Sequence, residues 1–398
     1  MSSVQQRRYD LDWLRILAFG LLIFYHIGMF FVSWDFHVKS VHSGPVIEPA
    51  MKLVNPWRMT VLFLISGVAL RFAMDKAPLG HFAWARFWRL FLPLVFGVLV
   101  IVAPQSWLEL LEKGETQAGF LSFYGDYLSA STDYSIILPT WNHLWYVAYL
   151  IIYTFILIAL YPLVTRLSRA IGPLTSRSPL LFFAVALVPV VLFALHDLWL
   201  EDVFPSTHAL VDDWGNHALY FPFLLIAFLA AKSERIWTII DRFYKPAIVL
   251  AITLAAWQLF VWSLSEADIA DVPFLELIAL AHMMVEPIYA WACILVAFGL
   301  VRRFANRPSR ALSYMTEAIF PWYILHQTFI VIFGFWLTRQ GLSPMLEFGL
   351  ITVLTFASCH LVHEYIIRRS GVLRPLFGLK ARHSTKDRMI SRAATGSA

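Results

Sequence analysis

About ten apolar runs, each close to 20 residues long, constrain the fold of this chain more than any other feature. A helix needs about 20 residues to cross roughly 30 Å of hydrocarbon. Lipid offers the backbone no hydrogen-bond partner, so only helices or a closed barrel can span a bilayer, and continuous runs do not fit the alternating strands of a barrel. The sequence therefore predicts an all-α polytopic membrane protein, a bundle of about ten transmembrane helices. The predicted spans cover residues 11–33, 57–75, 86–104, 141–164, 179–196, 215–231, 246–264, 279–300, 313–336 and 346–367.

The composition agrees with this class. Charged residues make up 14% of the chain and hydrophobic residues 59%, whereas a soluble domain averages about 25% charged residues. The first run looks at first like a secretory signal, but it is too long, carries Arg15 and His26 and lacks a small-residue cleavage site, so we interpret it as a retained helix. Cys293 and Cys359 both lie within apolar runs, which favours core residues over a disulfide.

The distribution of basic residues predicts the orientation. Of the 31 Lys and Arg residues, 25 fall in segments that are cytoplasmic if the N-terminus is inside, five fall in external segments, and Arg15 lies in the first span. The positive-inside rule then places both termini in the cytoplasm. We expect a multi-pass protein of the inner (plasma) membrane. We attribute the positive charge to topology and to contact with the lipid bilayer, not to nucleic acid. We expect residues 1–367 to form one transmembrane domain and the basic residues 368–398 a mobile cytoplasmic tail.

The first span carries ionisable residues, and their cost in hydrocarbon makes each of them a candidate functional group. Arg15 and His26 are eleven residues apart, which places them on nearly the same helix face and about 16 Å apart along the axis. This face therefore carries a fixed cation near the cytoplasm and a titratable imidazole deep in the membrane. In the alternative interpretation, Arg15 pairs with Asp12 one turn away and His26 hydrogen-bonds a neighbouring helix.

Two further spans contain short polar motifs. Arg86 and Arg89 open the third span at positions i and i+3 of one helix face. Two guanidinium groups so placed suit a phosphate or a carboxylate, although ordinary cytoplasmic charges give the same pattern. The second span contains Ser66-Gly67, a pair typical of close helix packing, and a nucleophilic role for Ser66 is the alternative.

Polar groups recur in the later spans, with His143 and Trp145 in the fourth, Glu286 in the eighth, and Tyr323 and His326 in the ninth. Each alone is typical of an interhelical hydrogen bond, but their number predicts a shared polar cavity. The predicted external loops add aromatic and acidic residues, which either bind sugars or anchor the protein at the interface.

In order along the chain, these motifs resemble the acyltransferase 3 family of membrane O-acyltransferases. The motifs are Leu11-Asp12-Trp13-Leu14-Arg15 with His26 after ten further residues, Phe63-Leu64-Ile65-Ser66-Gly67, Arg86-Phe87-Trp88-Arg89, His143-Leu144-Trp145-Tyr146 and Pro321-Trp322-Tyr323-Ile324-Leu325-His326-Gln327. Each is short, but the ordered set covers residues 7–367. In the fourth span the chain lacks the motif of the family's sugar O-acetylases and resembles instead the branch that succinylates periplasmic glucans. The departure leaves the acyl group, acetyl or succinyl, and the acceptor open.

The resemblance implies acyl transfer from a cytoplasmic acyl-CoA to a hydroxyl group of an extracytoplasmic glycan. Acyl-CoA would be a co-substrate, and no bound cofactor or metal ion is expected. A sugar hydroxyl needs a general base, and the pKa of an imidazole suits that role near neutrality. The candidate catalytic residues are His26, Asp12, Glu286 and His326. The candidate residues for binding substrate or acyl-CoA are Arg15, Arg86, Arg89, Ser66, His143, Trp145 and Tyr323.

Two other classes of function compete with this hypothesis. A proton-coupled transporter would use the intramembrane His and Glu residues as a relay, but the sequence shows no repeated halves with paired broken helices. A non-catalytic scaffold would leave the intramembrane Arg and His without a role. The sequence leaves the oligomeric state open.

The predicted topology is tested with reporter fusions. Because of the positive-inside rule, fusions after Lys113 and after Asp202 should report an extracytoplasmic location, and fusions after Arg242 and at the C-terminus a cytoplasmic one. A cytoplasmic signal after Lys113 would overturn the predicted number of transmembrane helices.

Overall fold

The computed structural model describes residues 8–177, 180–264 and 275–381, and every regular element among them is helical. The helices are α1 (Tyr9–Met29), α2 (Glu48–Met74), α3 (Leu79–Phe96), α4 (Ala103–Glu112), α5 (Phe120–Leu128), α6 (Trp145–Ala159), α7 (Tyr161–Arg177), α8 (Leu180–Leu195), α9 (Glu201–Val203), α10 (Trp214–Ala230), α11 (Glu234–Ser263), α12 (Leu275–Met283), α13 (Val285–Phe304), α14 (Arg310–Leu337), α15 (Pro344–Leu361) and α16 (Leu373–Leu376). Wider π-helical turns join α3 to α4 (Gly97–Val102) and α8 to α9 (His196–Leu200), and another extends α15 (Val362–Ile367). Short 3-10 turns cover Pro45–Ile47, Asn142–Leu144 and Thr338–Gln340.

Nine helical stretches in the described part of the chain are long and apolar enough to cross a membrane. The 17-residue helix α10 is apolar but shorter. Each of the ten predicted spans overlaps one of these ten helices, so the all-helical class is confirmed, with nine clear spans rather than ten. The orientation of the termini stays a prediction.

The second predicted span begins too late. Helix α2 starts at Glu48, nine residues before the predicted start, with a proline in its first turn, where proline is compatible with a helix. Lys52, Asn55 and Pro56 lower the local hydropathy and hide this first part of the helix from a search for apolar runs. Arg58 is one of the five basic residues assigned to external segments, together with Lys39, Lys52, Lys113 and Arg339. It lies well inside helix α2.

The described residues divide into two compact units. Unit 1 takes in residues up to 84 together with 145–316, and unit 2 takes in residues 85–144 together with those from 317 onward. The chain passes from unit 1 to unit 2 within α3, returns to unit 1 at the start of α6, and enters unit 2 again within α14. The single domain expected for residues 1–367 thus consists of two units.

In unit 1, α2 packs closely against α10. A Cβ atom on Gly67 would lie 2.1 Å from the carbonyl oxygen of Leu224, so only glycine permits this approach. This geometry confirms the packing interpretation of the Ser66-Gly67 pair. Four residues before Gly67, the fully buried Phe63 stacks on Tyr220 of α10 with ring centroids 4.7 Å apart.

The first turn of α1 is held by a buried carboxylate. Asp10 is fully buried, with Arg8 at 2.7 Å and Arg302 of α13 at 3.6 Å. Arg302 also pairs with Asp241 of α11 at 2.7 Å, and both guanidinium groups lie over the ring of Trp237. Since breaking a buried pair leaves an uncompensated charge, these contacts tie α1 firmly to α11 and α13.

In unit 2, the residues just after the last span are folded. Arg374 pairs with Glu317 of α14 at 2.9 Å, and Phe377 is buried. Arg89 donates from Nε to the carbonyl oxygen of Gly378, 3.2 Å away. Residues 368–381, expected to begin a mobile tail, are thus folded as part of unit 2. The remainder of that tail lies outside the described residues.

The close approach at Gly67 generates a stability prediction. Gly67→Ala should lower the melting temperature of the purified protein, because overpacking of this kind costs about 1–3 kcal/mol. Gly20→Ala is the matched control, since a Cβ there meets nothing within 4 Å, and alanine is the better helix former. Equal melting temperatures for wild type and Gly67→Ala would show that α2 and α10 do not approach as described.

Candidate functional site

Helix α1 presents Asp12, Arg15 and His26 in unit 1. The helix runs without a break from Tyr9 to Met29, so the predicted spacing of Arg15 and His26 along one face is kept. Arg15 donates to Asp12, 3.1 Å away, and the Arg15 side chain keeps 32% of its exposure. The local ion pair expected in the alternative interpretation therefore exists and fixes the direction of the guanidinium group. His26 is half-buried in the last turn of α1.

Beside His26, the structure assembles a group of residues that the sequence analysis did not select. The ring of Tyr25 lies under the guanidinium group of Arg58, with the carbon Cζ 3.8 Å from the ring centroid. The hydroxyl group of Tyr25 donates to Oδ1 of Asn55 at 3.0 Å, and Nη1 of Arg58 donates to the backbone oxygen of Asn55 at 2.8 Å and to its Oδ1. The rings of Tyr25 and His26 are 6.3 Å apart, edge to face.

The loop before α10 is organised by Asp213, a fully buried carboxylate. It accepts hydrogen bonds from the hydroxyl group of Tyr149, from Nδ2 of Asn216 at 2.9 Å and from the backbone N–H groups of Thr207 at 3.0 Å and His208 at 3.2 Å. Burial acts to raise the pKa of Asp213, but these hydrogen bonds outweigh it and hold the pKa below its ordinary value. The carboxylate thus stays charged and fixes the loop.

This loop brings His208 against Trp145, a predicted binding residue, with ring centroids 4.5 Å apart. The ring of Trp145 also lies 5.7 Å from that of Tyr220. Burial lowers the pKa of His208; the charge of Asp213 opposes this shift and that of Arg58 adds to it. His208 is therefore a neutral imidazole near pH 7, close to both charged groups.

Ser66 and Glu286 have different surroundings in unit 1. The hydroxyl group of Ser66 shares a hydrogen bond of 2.6 Å with that of Tyr146. A phenol is a poor base at neutral pH, so this partner suits packing better than activation of a nucleophile. Glu286 interacts electrostatically with a cluster formed by His196, Asp197 and Glu201. The ring nitrogen and the carboxylate oxygens of this cluster lie within 4.8 Å of one another. Such a cluster has the donor types for a divalent cation, but exposed acids are also common without one.

In unit 2, the structure brings together His143, Tyr323 and His326. All three are buried, and the rings of the two histidines are 4.9 Å apart. The hydroxyl group of Tyr323 donates to the backbone oxygen of His143 at 2.5 Å, and Nε2 of His143 lies 3.1 Å from the backbone oxygen of Ile324. Nδ1 of His326 lies 2.6 Å from the backbone oxygen of Tyr323. These contacts join the 3-10 turn before α6 to the middle of α14.

A buried amide network in unit 2 escaped the sequence analysis. Gln105 donates to Oγ1 of Thr328 at 2.7 Å and accepts from Asn142 at 3.0 Å and from Gln327 at 3.1 Å. Gln105, Gln327 and Thr328 are all buried. The network satisfies both groups of the Gln105 amide and positions Gln327 directly after His326.

Arg86 and Arg89 lie on α3 in unit 2, three residues apart as predicted. Arg86 is half-buried and Arg89 exposed, and Arg89 uses Nε for the carbonyl oxygen of Gly378. Arg15 and His26 belong to unit 1. The shared polar cavity and the joint action of the three arginines stay predictions.

The missed residues share a simple reason. Arg58 stood at the edge of a predicted span and was counted as a loop charge, although an arginine one position inside an apolar run is itself a signal. Tyr25, Asn55 and Gln105 are uncharged, and nothing in a single sequence distinguishes them from ordinary packing residues. Asp213 lies in a loop rich in acids, so only its burial sets it apart.

Comparison with known proteins agrees with the helical architecture and the motifs. A family model described as an acyltransferase domain, of the acyltransferase 3 type, matches residues 8–364. The glucans biosynthesis protein C of Salmonella typhi is 25% identical over 411 residues, covering 100% of both chains. The protein of the same name from Salmonella typhimurium is 25% identical over 395 residues, covering 96% of this chain and 97% of its own. No solved structure gives a significant match.

Proposed function

Since the chain belongs to the acyltransferase 3 family, we propose that it transfers an acyl group from cytoplasmic acyl-CoA to a hydroxyl group of an extracytoplasmic glycan. That it is a multi-pass membrane protein of an acyltransferase family follows from its helices and from the family match. The donor, the acceptor and the general base belong to the proposal. The relatives named for glucan biosynthesis support a glucan as the acceptor.

One observation carries the proposal: a continuous helix holds an ion-paired guanidinium group and an imidazole about eleven residues apart, in the region that the family model matches. Arg15 lies toward the end of α1 predicted to face the cytoplasm, and His26 toward the opposite end. A donor with a charged carrier and an acceptor with a free hydroxyl group would then approach the same helix from opposite sides. Neither the carrier nor the glycan has to cross the membrane.

In the proposed reaction, a ring nitrogen of His26 takes the proton of the acceptor hydroxyl group as its oxygen attacks the thioester carbonyl carbon. A C–O bond forms, the C–S bond breaks, and coenzyme A leaves as the thiolate. The thiolate takes up the proton that His26 has accepted, which restores the neutral imidazole. Asp12 holds Arg15 in position through the 3.1 Å contact and so acts as a positioning residue.

The other candidates fall into two roles. Arg86 and Arg89 of unit 2 would bind phosphate groups of coenzyme A, since guanidinium groups form paired hydrogen bonds with phosphate oxygens. Arg15 of unit 1 is proposed for the same type of contact. Trp145 would stack on a sugar ring of the acceptor, and Ser66, bonded to Tyr146, would support the same wall. In unit 2, His143, Tyr323 and His326 would line the path of the substrate. Glu286 and His326 would carry protons between the site and water.

Replacement of His26 tests the chemical step. Because a general base contributes about 10²–10⁴-fold, His26→Ala should reduce turnover of acyl-CoA and glucan by about that factor and leave acyl-CoA binding near the wild-type value. The measurement is the rate of acylated glucan formation by purified protein in lipid nanodiscs.

His282→Ala is the control, because it removes another intramembrane imidazole of unit 1, one bonded to Trp257, and it should keep wild-type turnover. Labelled acyl groups trapped on the wild type without acceptor, and lost in His26→Ala, would replace the base role with a covalent acyl-histidine; label lost in Ser66→Ala would point to an acyl-serine. Wild-type turnover by His26→Ala would remove the residue from the mechanism.

Replacement of the α3 arginines tests donor binding. A charged hydrogen bond is worth about 1.5–3 kcal/mol, so Arg86→Ala or Arg89→Ala should weaken acyl-CoA binding by about ten- to a hundredfold, and lysine should restore it only in part. Equilibrium binding of acyl-CoA gives the measurement. The control is Arg71→Ala, because Asp75 keeps Lys232 as a partner. Unchanged affinity in both α3 variants would make these arginines topology residues only.

A further inference from the structure

Arg58 is a cation in a candidate membrane-spanning helix of unit 1 and has no role in the proposed mechanism. It lies in the third turn of α2, a helix long and apolar enough to span the membrane. A charged group in such a helix is costly to insert and marks a functional site by default. The charge of Arg58 therefore requires a compensating interaction.

The protein satisfies one edge of the Arg58 guanidinium group and leaves the other open. Nη1 donates twice to Asn55, and Tyr25 covers the face. Among the residues that the structure describes, no carboxylate pairs with Arg58, its hydrogen bonds are those of Nη1 to Asn55, and the buried Nε has no hydrogen-bond partner. The open Nε–Nη2 edge carries two parallel N–H donors, the arrangement that binds a carboxylate through two hydrogen bonds.

A purely structural role does not account for this edge. The contact with the Tyr25 ring contributes about 0.5–2 kcal/mol, but it leaves a buried charged donor without an acceptor, which is costly. The hydrogen bonds to Asn55 and the contact with the Tyr25 ring hold the guanidinium plane of Arg58 in one orientation. The charge of Arg58 is therefore fixed in place with its donor edge unused.

The surroundings of Arg58 favour an anion. Within the described part of unit 1, three groups interact electrostatically with the charge of Arg58. They are the hydroxyl groups of Tyr25 and Tyr220 and the imidazole of His208. None of these is an anion near neutral pH: burial keeps His208 neutral. Asp213, the nearby carboxylate, is already held by four donors around its own loop.

The position of Arg58 connects it to the chemistry. Its guanidinium group rests on Tyr25, the residue directly before His26, and the rings of these two neighbours lie 6.3 Å apart. The two distances place Cζ of Arg58 within about 10 Å of the centre of the His26 imidazole ring. An anionic group of a substrate is the ligand that fits this place.

We propose that Arg58, oriented by Tyr25 and Asn55, is a specificity-determining residue that binds a carboxylate carried by the substrate. The inference rests on the proposed acyl transfer and extends it to the charge of the transferred or accepting group. Two sources supply the same chemistry: the terminal carboxylate of a dicarboxylic acyl group, or an acidic substituent of the glycan.

Binding measurements on the full-length protein in nanodiscs test the proposal without turnover. Succinyl-CoA and butyryl-CoA have acyl chains of the same length and differ by the terminal carboxylate. Wild type should prefer succinyl-CoA, and Arg58→Gln should lose about ten- to a hundredfold of that preference while its affinity for butyryl-CoA stays unchanged. Arg58→Lys, which keeps the charge but not the paired donors, should recover only part of it.

Lys52→Gln is the matched control. It removes a positive charge from the same helix, six residues away, at an exposed side chain that pairs with Glu48, and it should keep the wild-type preference. All variants are first compared by melting temperature, and Arg58→Lys carries the test if Arg58→Gln does not fold.

The second arm compares a neutral glucan oligosaccharide with one bearing a carboxylate. If Arg58→Gln loses preference only in this arm, the anion belongs to the acceptor, and the proposal stands. If neither preference changes in Arg58→Gln or Arg58→Lys, the proposal is overturned. The measurement is affinity and does not depend on turnover. If the wild type acylates no glucan but the Arg58 variants still lose the preference for a carboxylate, the proposed reaction is wrong and the role of Arg58 stands.

Discussion

Hydrocarbon gives polar groups no hydrogen-bond partner, and the rest of this structure depends on that constraint. It makes every backbone segment in the membrane helical, and it gives each polar side chain a partner or a function. Asp10 takes two arginines, Arg15 takes Asp12, and Gln105 uses both groups of its amide. Within the described residues, the Nε of Arg58 is one of several buried polar atoms without a hydrogen-bond partner, and it belongs to a charged group.

The two units meet this constraint in different ways. Unit 1 uses ion pairs at the beginning of α1 and aromatic stacking through its centre, where Phe63 contacts Tyr146, Tyr153 and Tyr220. Unit 2 has the ion pair of Arg374 with Glu317, and its buried interior uses neutral groups, with the amide network of Gln105 next to the buried histidines His143 and His326. The free-energy cost of burial is lower for a neutral hydrogen-bonded network than for charged pairs. The histidines of this region likewise lie beside backbone carbonyl groups.

The proposed reaction requires a membrane protein to bind both a charged donor and a polar acceptor. Arg15 in unit 1 and the pair Arg86 and Arg89 in unit 2 carry guanidinium groups of the kind that binds phosphate, and the loop around Asp213 in unit 1 brings aromatic rings together. His208 is kept neutral and Asp213 charged by their surroundings. The loop thus presents a fixed polar surface beside Trp145 rather than a titrating one near pH 7.

The sequence by itself determined the helical class, the approximate positions of nine spans and of the shorter apolar helix α10, the spacing of Arg15 and His26 and the close packing at Gly67. Each of these depends on local periodicity or on the residue's size, and both are visible in one dimension. Only the tertiary structure decided that α2 begins at Glu48, that residues 368–381 fold against unit 2, and that Asp10 rather than Asp12 is the buried carboxylate of α1. The reason is physical: the partners of Asp10, Arg58 and Asp213 come from chain segments far apart in sequence or from uncharged residues, and burial, not residue type, gives these groups their roles.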